Sequence, residues 1–328
     1  EAEENIELRT RLMGAGVYDH GYVLGYERVG DHQPGAGLPK HRLWRIRAGH
    51  VLTATGAIER PLSFAGNDVP GVMLASAVRD DAVNYGVSAG DRTVVVTNNA
   101  DAYRTALVMK EAGLDVPAII DARPDGAGAL GAAAEAAGMR VLKGKGIAKV
   151  KGGKRVTGVA TCAMAGEGTP QEEIACDVVA MSGGWSPVVH LWSHCGGKLL
   201  WDADHAVFRP DPGRAPTGAD GMSFVSVAGS ANGAMALADV VADAAAQGAA
   251  AVKATGGKAA TVAVNAETEE AALMAPVWMM PQGATYELRA KMWLDYQNDV
   301  KVSDVQLAAQ EGFVSVEHTK RYTTLGMA

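Results

Sequence analysis

Residues Asp91 to Thr97 read DRTVVVT, a short β-branched run in which polar and apolar residues do not alternate. A strand of this kind has no face to offer water, so it must be buried on both sides, as in a covered parallel sheet. The residues that follow repeat the theme. Asp101 to Ala112 has helical spacing, with Ala102, Ala106, Leu107 and Met109 apolar and Gly113 as its stop. Val116 to Ile120 is a second buried strand, Ala129 to Ala137 a second helix ended by Gly138, and Met139 to Leu142 a third strand. The order β-α-β-α-β with short loops is half of a doubly wound sheet.

The flanking segments are of other kinds. Residues 17–29 alternate aromatic and β-branched residues with polar ones and predict antiparallel strands. Leu43 to Thr53 reads as strand, short turn, strand, and runs into Ala54-Thr55-Gly56 and then Arg60-Pro61. Leu74 to Tyr85 has helical spacing up to Gly86. Ile147 to Val150 and Val156 to Cys162, separated by Gly152-Gly153, predict a hairpin. Asp177 to Met181 is another buried strand, ahead of Ser182-Gly183-Gly184. Phe224 to Ala228 runs into Gly229-Ser230-Ala231-Asn232-Gly233, with a helix expected from Ala234 to about Ala246. Residues 249–270 read as a linker, and the aromatic tail that follows, with Trp278, Trp293 and Phe313, is expected to pack on something.

At 328 residues the chain suits two domains and an extension. Hydrophobic residues make up 48% and charged residues 20%, which excludes disorder, and a net charge of -7 argues against nucleic acid as a partner. The longest alanine-rich stretch is interrupted by Asp243 and Gln247, so no membrane span is expected, and the acidic start Glu1 to Glu7 does not resemble a signal peptide. Cys162, Cys176 and Cys195 are not in CxxC spacing, and among His20, His190, His194 and His205 only His190 and His194 stand four apart, with no third ligand type beside them in a metal-binding pattern. Neither a redox pair nor a metal site is expected. Asp19 and His20 are adjacent, and adjacent strand residues face opposite ways, which favours structure over acid–base work. The expectation is a cytoplasmic protein.

Three features in this order carry the fold. Thr55-Gly56 follows a strand, the β-α-β-α-β unit comes next, and a strand ending in Gly229 to Gly233 closes the set. The arrangement resembles the two-dinucleotide-binding-domain flavoproteins of the glutathione reductase type. It implies an α/β, Rossmann-type fold in which one dinucleotide domain (1–90 and 183–250) is interrupted by another (91–182), with a linker and interface extension over 251–328. Glycines at 229 and 233 would let backbone N–H groups approach a pyrophosphate. No strand–GxGxxG–helix unit occurs before Tyr18. The expectation is a piece of a longer polypeptide, or a fold completed by another chain.

In the inserted domain, Thr97, Asn99 and Ala102 stand where a dinucleotide fingerprint has its three glycines. The side chain of Asn99 would occupy the place where a pyrophosphate rests on backbone, so a poor nucleotide site is expected. Asp121, at the end of the second strand, stands where a ribose-binding acid would be, and also fits a loop cap.

Further strings are more specific: Tyr18-Asp19-His20-Gly21-Tyr22, Thr97-Asn98-Asn99, Ser182-Gly183-Gly184-Trp185-Ser186-Pro187, Asp295-Tyr296-Gln297-Asn298-Asp299-Val300 and Glu317-His318-Thr319-Lys320-Arg321-Tyr322-Thr323-Thr324. Over essentially the whole chain these resemble the alpha subunit of heterotetrameric sarcosine oxidase. The resemblance implies an enzyme that oxidises sarcosine to glycine, giving peroxide and formaldehyde or methylenetetrahydrofolate. FAD and the amine site are implied in a beta subunit, FMN at the alpha/beta interface, NAD in alpha, and tetrahydrofolate in a C-terminal half absent from this sequence. Beta, gamma and delta subunits are the implied partners, and no catalytic residue is assigned to this chain. Thr55, Gly56, Gly229, Ser230, Ala231, Asn232 and Gly233 match the family's dinucleotide pocket, and Gly14 matches the edge that faces adenine. Lys320, Arg321, Thr323 and Thr324 either meet the FMN phosphate or dock the tail. The other reading is a non-catalytic nucleotide-binding scaffold of a related amine or opine oxidase or dehydrogenase.

Overall fold

The computed structural model describes residues 5–260, 262–267 and 274–327. Glu1 to Glu4 of the acidic start, parts of the expected linker and extension (261 and 268–273), and Ala328 lie outside the described residues. The chain divides into two compact units: Glu1–Ile58 with Ser186–Ala203 and Val207–Glu269, and Glu59–Trp185 with Asp204–Ala206 and Glu270–Ala328.

The second unit is built on a five-stranded parallel sheet. Its strands, in spatial order, are Val72–Leu74, Val178–Ser182, Thr93–Thr97, Ile119–Asp121 and Val141–Lys143. Val94, Val95 and Val96 are all fully buried, each worth roughly 1.5–3 kcal/mol of apolar burial. The two faces find different covers. Val95, Ile119 and Ala180 pack with Val78, Tyr103 and Met109 from the helices Ala75–Tyr85 and Asp101–Glu111. Val94, Val96 and Ile120 pack with Ile147, Val150 and Val159. Those last residues belong to an antiparallel sheet of Lys145–Gly152, Val156–Ala163 and Glu172–Ala175. The continuous apolar run therefore means burial on both sides, with helices supplying one side and a second sheet the other.

The aromatic tail packs within this unit. Asn67 joins Trp293 by two bonds, its amide donating to the Trp293 carbonyl at 2.9 Å and its carbonyl accepting the Trp293 N–H at 2.9 Å. A short hairpin (Trp293–Asp295 with Val300–Lys301) leads to the helices Val302–Gln310 and Val316–Thr323.

In the first unit, Leu12–Tyr18, Tyr22–Arg28 and His41–Arg47 form an antiparallel sheet. Val51–Thr53 pairs in parallel with Val225–Val227, which is distant from it in sequence. Val17, Trp192, Phe224, Val225 and Val227 form the core of this unit. The helix expected from Ala234 runs from Leu237 to Ala254 and so takes up the first part of the expected linker. It starts late because Gly233 is left-handed, at φ 99°, and Ala236 is extended.

The architecture is mixed α/β with a parallel sheet, as the order of elements predicts.

Candidate functional site

The strand pair of the first unit brings two distant turns side by side. Thr53 pairs with Val227, and the Ala228 N–H donates to the Thr53 carbonyl at 2.9 Å. Both chains then leave the sheet at the same end, one through Thr55-Gly56 and the other through Gly229–Asn232. Thr55 donates its hydroxyl to the Val188 carbonyl at 2.7 Å, and the Val188 N–H returns a bond to the Gly56 carbonyl at 2.9 Å. Gly56 has φ 72°, and no atom lies within 4 Å of where its Cβ would be, so the space beside it is open.

Gly229 is also left-handed, at φ 67°, which only glycine adopts without strain. From it the residues Gly229–Asn232 make a 3-10 turn. One side chain holds this turn. The Asp243 carboxylate accepts the Gly229 N–H at 2.7 Å and the Asn232 amide at 3.1 Å, and Gln247 donates to it at 3.3 Å. A carboxylate thus already faces the N–H that the sequence assigned to a phosphate. Asp243 was missed as a site residue because it lies 14 positions away on the next helix. Its one signal in sequence is that it is an acid in an alanine-rich stretch, a signal that Asp239 shares.

Gly14 lies in the first strand where the pairing with the second shifts register, and a Cβ added there would lie 3.9 Å from Leu191. At the other end of this strand, Tyr18 stacks on His194 with centroids 6.2 Å apart.

A second cluster occupies the carboxyl ends of the parallel strands in the other unit, where an open α/β sheet presents its ligand crevice. Here the polar groups satisfy one another. The Asn99 amide, buried, donates to the Ser182 hydroxyl at 2.9 Å, to the Ser182 backbone carbonyl and to the Asn98 side-chain oxygen. Asn98 donates to the Ala275, Val277 and Gly183 carbonyls. Asp121 is fully buried. It accepts the Tyr103 hydroxyl at 2.7 Å, the Arg123 N–H at 2.9 Å and two guanidinium bonds from Arg123. The carboxylate that a ribose would need is spent on its own domain, as the loop-cap reading has it. Burial and the adjacent Asp121 push the Tyr103 hydroxyl well above its ordinary value.

Glu59 is buried and accepts the Ser76 N–H at 2.9 Å on one oxygen, while its other oxygen takes no hydrogen bond among the described residues. It serves as the missing cap of the helix Ala75–Tyr85, whose own N-cap is Leu74. Burial pushes its carboxyl upward, only partly offset by Ser182 and Ser76.

The four tail residues fall on or just after the helix Val316–Thr323, in the second unit. Arg321 lies 4.0 Å from Glu317, and Thr323 donates back to the Thr319 carbonyl at 2.8 Å. Thr324 is left-handed at φ 65°. The chain end is tied down by the Gly326 N–H, which donates to Asp295 at 2.8 Å.

Among the described residues no group of three or more His, Cys, Asp or Glu side chains is placed to hold a metal. Burial raises the Cys162 thiol to about 11 and the Cys176 thiol to about 12. No described helix is long and apolar enough to cross a membrane.

Comparison with known proteins gives a consistent picture. Residues 289–328 match the family described as the sarcosine oxidase A3 domain. The chain is similar to the sarcosine oxidase subunit alpha of Rhizobium meliloti (strain 1021), 39% identical over 334 residues, covering 99% of this chain and 31% of that protein. It is similar also to the subunit alpha of Corynebacterium sp. (strain P-1), 38% identical over 343 residues, covering 100% of this chain and 34% of that protein. The chain therefore spans about a third of the length of the curated relatives it matches. Among solved structures, L-proline dehydrogenase from P. horikoshii matches with a TM-score of 0.67 at 19% identity, over 99% of this chain and 57% of that one.

Proposed function

Because this chain is related along its whole length to sarcosine oxidase alpha subunits, as a stretch about a third as long, we propose that it is the nucleotide-binding part of such a subunit. The reaction of the whole complex, in this reading, is oxidation of sarcosine to glycine with release of peroxide and of formaldehyde or methylenetetrahydrofolate. The amine site and FAD belong to the beta subunit, with gamma and delta completing the assembly. Tetrahydrofolate belongs to a region outside this sequence, and the setting is the cytoplasm.

The observation that carries the nucleotide part is the meeting of Thr53 and Ala228, which sets the Thr55-Gly56 and Gly229–Gly233 turns next to each other. The residues fit a dinucleotide on one test, since the space beside Gly56 is open. In this reading NAD lies along that edge. Gly56 leaves room, Ser230, Ala231 and Asn232 meet its phosphates, Gly233 ends the turn, and Gly14 borders the adenine. Asp243 holds the turn in shape and does not contact phosphate. The bound NAD supplies no chemistry to the amine and orders the fold around it. Lys320, Arg321, Thr323 and Thr324 approach the FMN phosphate at the boundary with the beta subunit.

The inserted domain takes no nucleotide, because its strand-end groups are spent on each other. This favours a supporting role over an independent NAD(P)H-dependent reductase, which needs a second working site or a redox CxxC.

The test is to purify the full-length subunit with its partners, denature it and identify the released nucleotides by mass. One NAD per alpha subunit is expected, with Gly56→Val lowering it severalfold while sarcosine-dependent peroxide formation stays measurable. Retention of full NAD by Gly56→Val, or a complex free of NAD, overturns the placement.

A further inference from the structure

The three-stranded antiparallel sheet of the first unit has two unlike faces. Val17 and Val23 point inward, packing with Trp192, Phe224 and Val225. Strand pairing sets Met13, Tyr26 and Leu43 in one row across the other face, and Leu24 beside Arg45 and Tyr22 beside Arg47. That outer face is wet and apolar together. Met13 is 61% exposed, Leu43 56% and Tyr26 37%. Tyrosine, methionine and arginine are the residue types that concentrate in protein–protein contacts, whereas exposed aliphatic side chains in a continuous row are unusual on a free surface. A shallow hollow of about 460 Å³ opens at one end, lined by Thr10, Arg11, Leu12, Met13, Tyr26 and Arg28.

Charge says what kind of surface fits. The chain carries a net charge of -7, yet the outward-facing positions of the second and third strands include Arg45 and Arg47 and no acid. Two acids of this sheet region, Glu27 and Asp31, are engaged elsewhere. Glu27 accepts the Trp44 indole N–H at 2.7 Å and pairs with Arg42, and Asp31 pairs with Arg11 and Arg28. Arg47 lies over the Tyr22 ring at 5.0 Å, while Arg45 is exposed. A cationic, aromatic patch on an acidic chain is complementary to an acidic partner surface and not to a second copy of the same patch.

We infer that this sheet face is a docking surface for an acidic face of a partner subunit, with Tyr26 and Leu43 as the apolar centre and Arg45 and Arg47 as the charged rim. The inference rests on the reading of the chain as part of an alpha subunit and adds to it the surface that the partner covers.

The test uses the full-length subunit co-expressed with its partners, as wild type, Arg45→Glu and Leu43→Asp. Both positions are exposed, so folding is checked by thermal unfolding and assembly by sedimentation at several salt concentrations. Wild-type assembly is expected to weaken with added salt, and each variant to weaken it by about tenfold or more. If the wild type assembles and both variants match it, the docking surface is overturned while the subunit reading stands. If the wild type does not assemble with its partners, the subunit reading itself falls. Self-association of the free subunit that both variants abolish makes the occupant a second copy, and oxidative footprinting that finds Tyr26 protected in the free monomeric subunit makes it the chain itself. Either result overturns the inference.

Discussion

The Asp243 carboxylate accepts the Gly229 N–H at 2.7 Å, so the turn that ends the last strand of the first unit is clamped by its own following helix. The same carboxylate takes the Asn232 amide, and both bonds come from a single side chain. Asp243→Ala leaves the Gly229 N–H and the Asn232 amide without this acceptor. A cost of about 1–3 kcal/mol follows, to be read from urea unfolding. Asp243→Asn keeps an acceptor oxygen and should lose less. Equal losses for the two variants would mean that packing, and not the hydrogen bonds, is what Asp243 supplies.

The buried Asp121–Arg123 pair gives a different expectation. Arg123→Ala strands a fully buried carboxylate, which costs about 3–5 kcal/mol. The double variant Asp121→Asn with Arg123→Met removes both charges and should be less destabilised than Arg123→Ala alone. A double-mutant cycle by chemical unfolding checks this. Simple addition of the single-variant losses would show that the two side chains do not act as a pair.

These two carboxylates mark how far the sequence could be read. Val94 to Val96 announced a strand buried on both sides, because a β-branched run without alternation has no other stable place. What covers it on one side, the sheet containing Ile147 and Val159, was not legible, since strand pairing depends on contacts far apart in sequence. The same holds for Val72–Leu74, which joins the parallel sheet beside Val178–Ser182 across a hundred residues of chain. Asn99 as an obstacle at the fingerprint turn follows from size alone, and its side chain is indeed bound within the protein. Asp243 had no such signal, because its partner is 14 residues away across a turn whose geometry sets the contact. The late start of the helix at Leu237 was equally hidden, for Gly233 to Ala236 carries none of the usual capping side chains.

At the chain end, Asp295 binds the Gly326 N–H at 2.8 Å together with the Gln297 and Asn298 N–H groups and the Asn298 amide. These bonds, the Asn298 amide first, lower its carboxyl to about 2. A depressed carboxylate contributes stability that is fully present above its unfolded value near 3.8 and is lost as pH falls towards about 2. The protection of the Gly326 N–H from hydrogen exchange, relative to the intrinsic rate at each pH, should therefore fall in that window in the wild type. In Asp295→Ala exchange should already be fast at neutral pH. Slow exchange at Gly326 in that variant would show that other contacts hold the tail.

Glu59 is displaced in the opposite sense, and its linkage has the opposite sign. Burial raises its folded value above 4.5, so the folded protein keeps the proton after the unfolded chain has lost it. Below pH 4.5 both states are protonated, and the group is neutral to stability. As pH rises from there towards the folded value, the unfolded state gains an ionisation that the native state resists, and stability falls. Above the folded value the loss is complete and constant. Glu59→Gln removes this titration but keeps an oxygen to accept the Ser76 N–H, the bond that caps the helix Ala75–Tyr85. The variant should be close to wild type at about pH 4 and more stable than wild type at about pH 8, well above the value at which the unfolded chain ionises. Urea unfolding of both proteins at the two pH values measures the difference. A gap that is the same at both would mean that the buried carboxyl does not change its ionisation on folding.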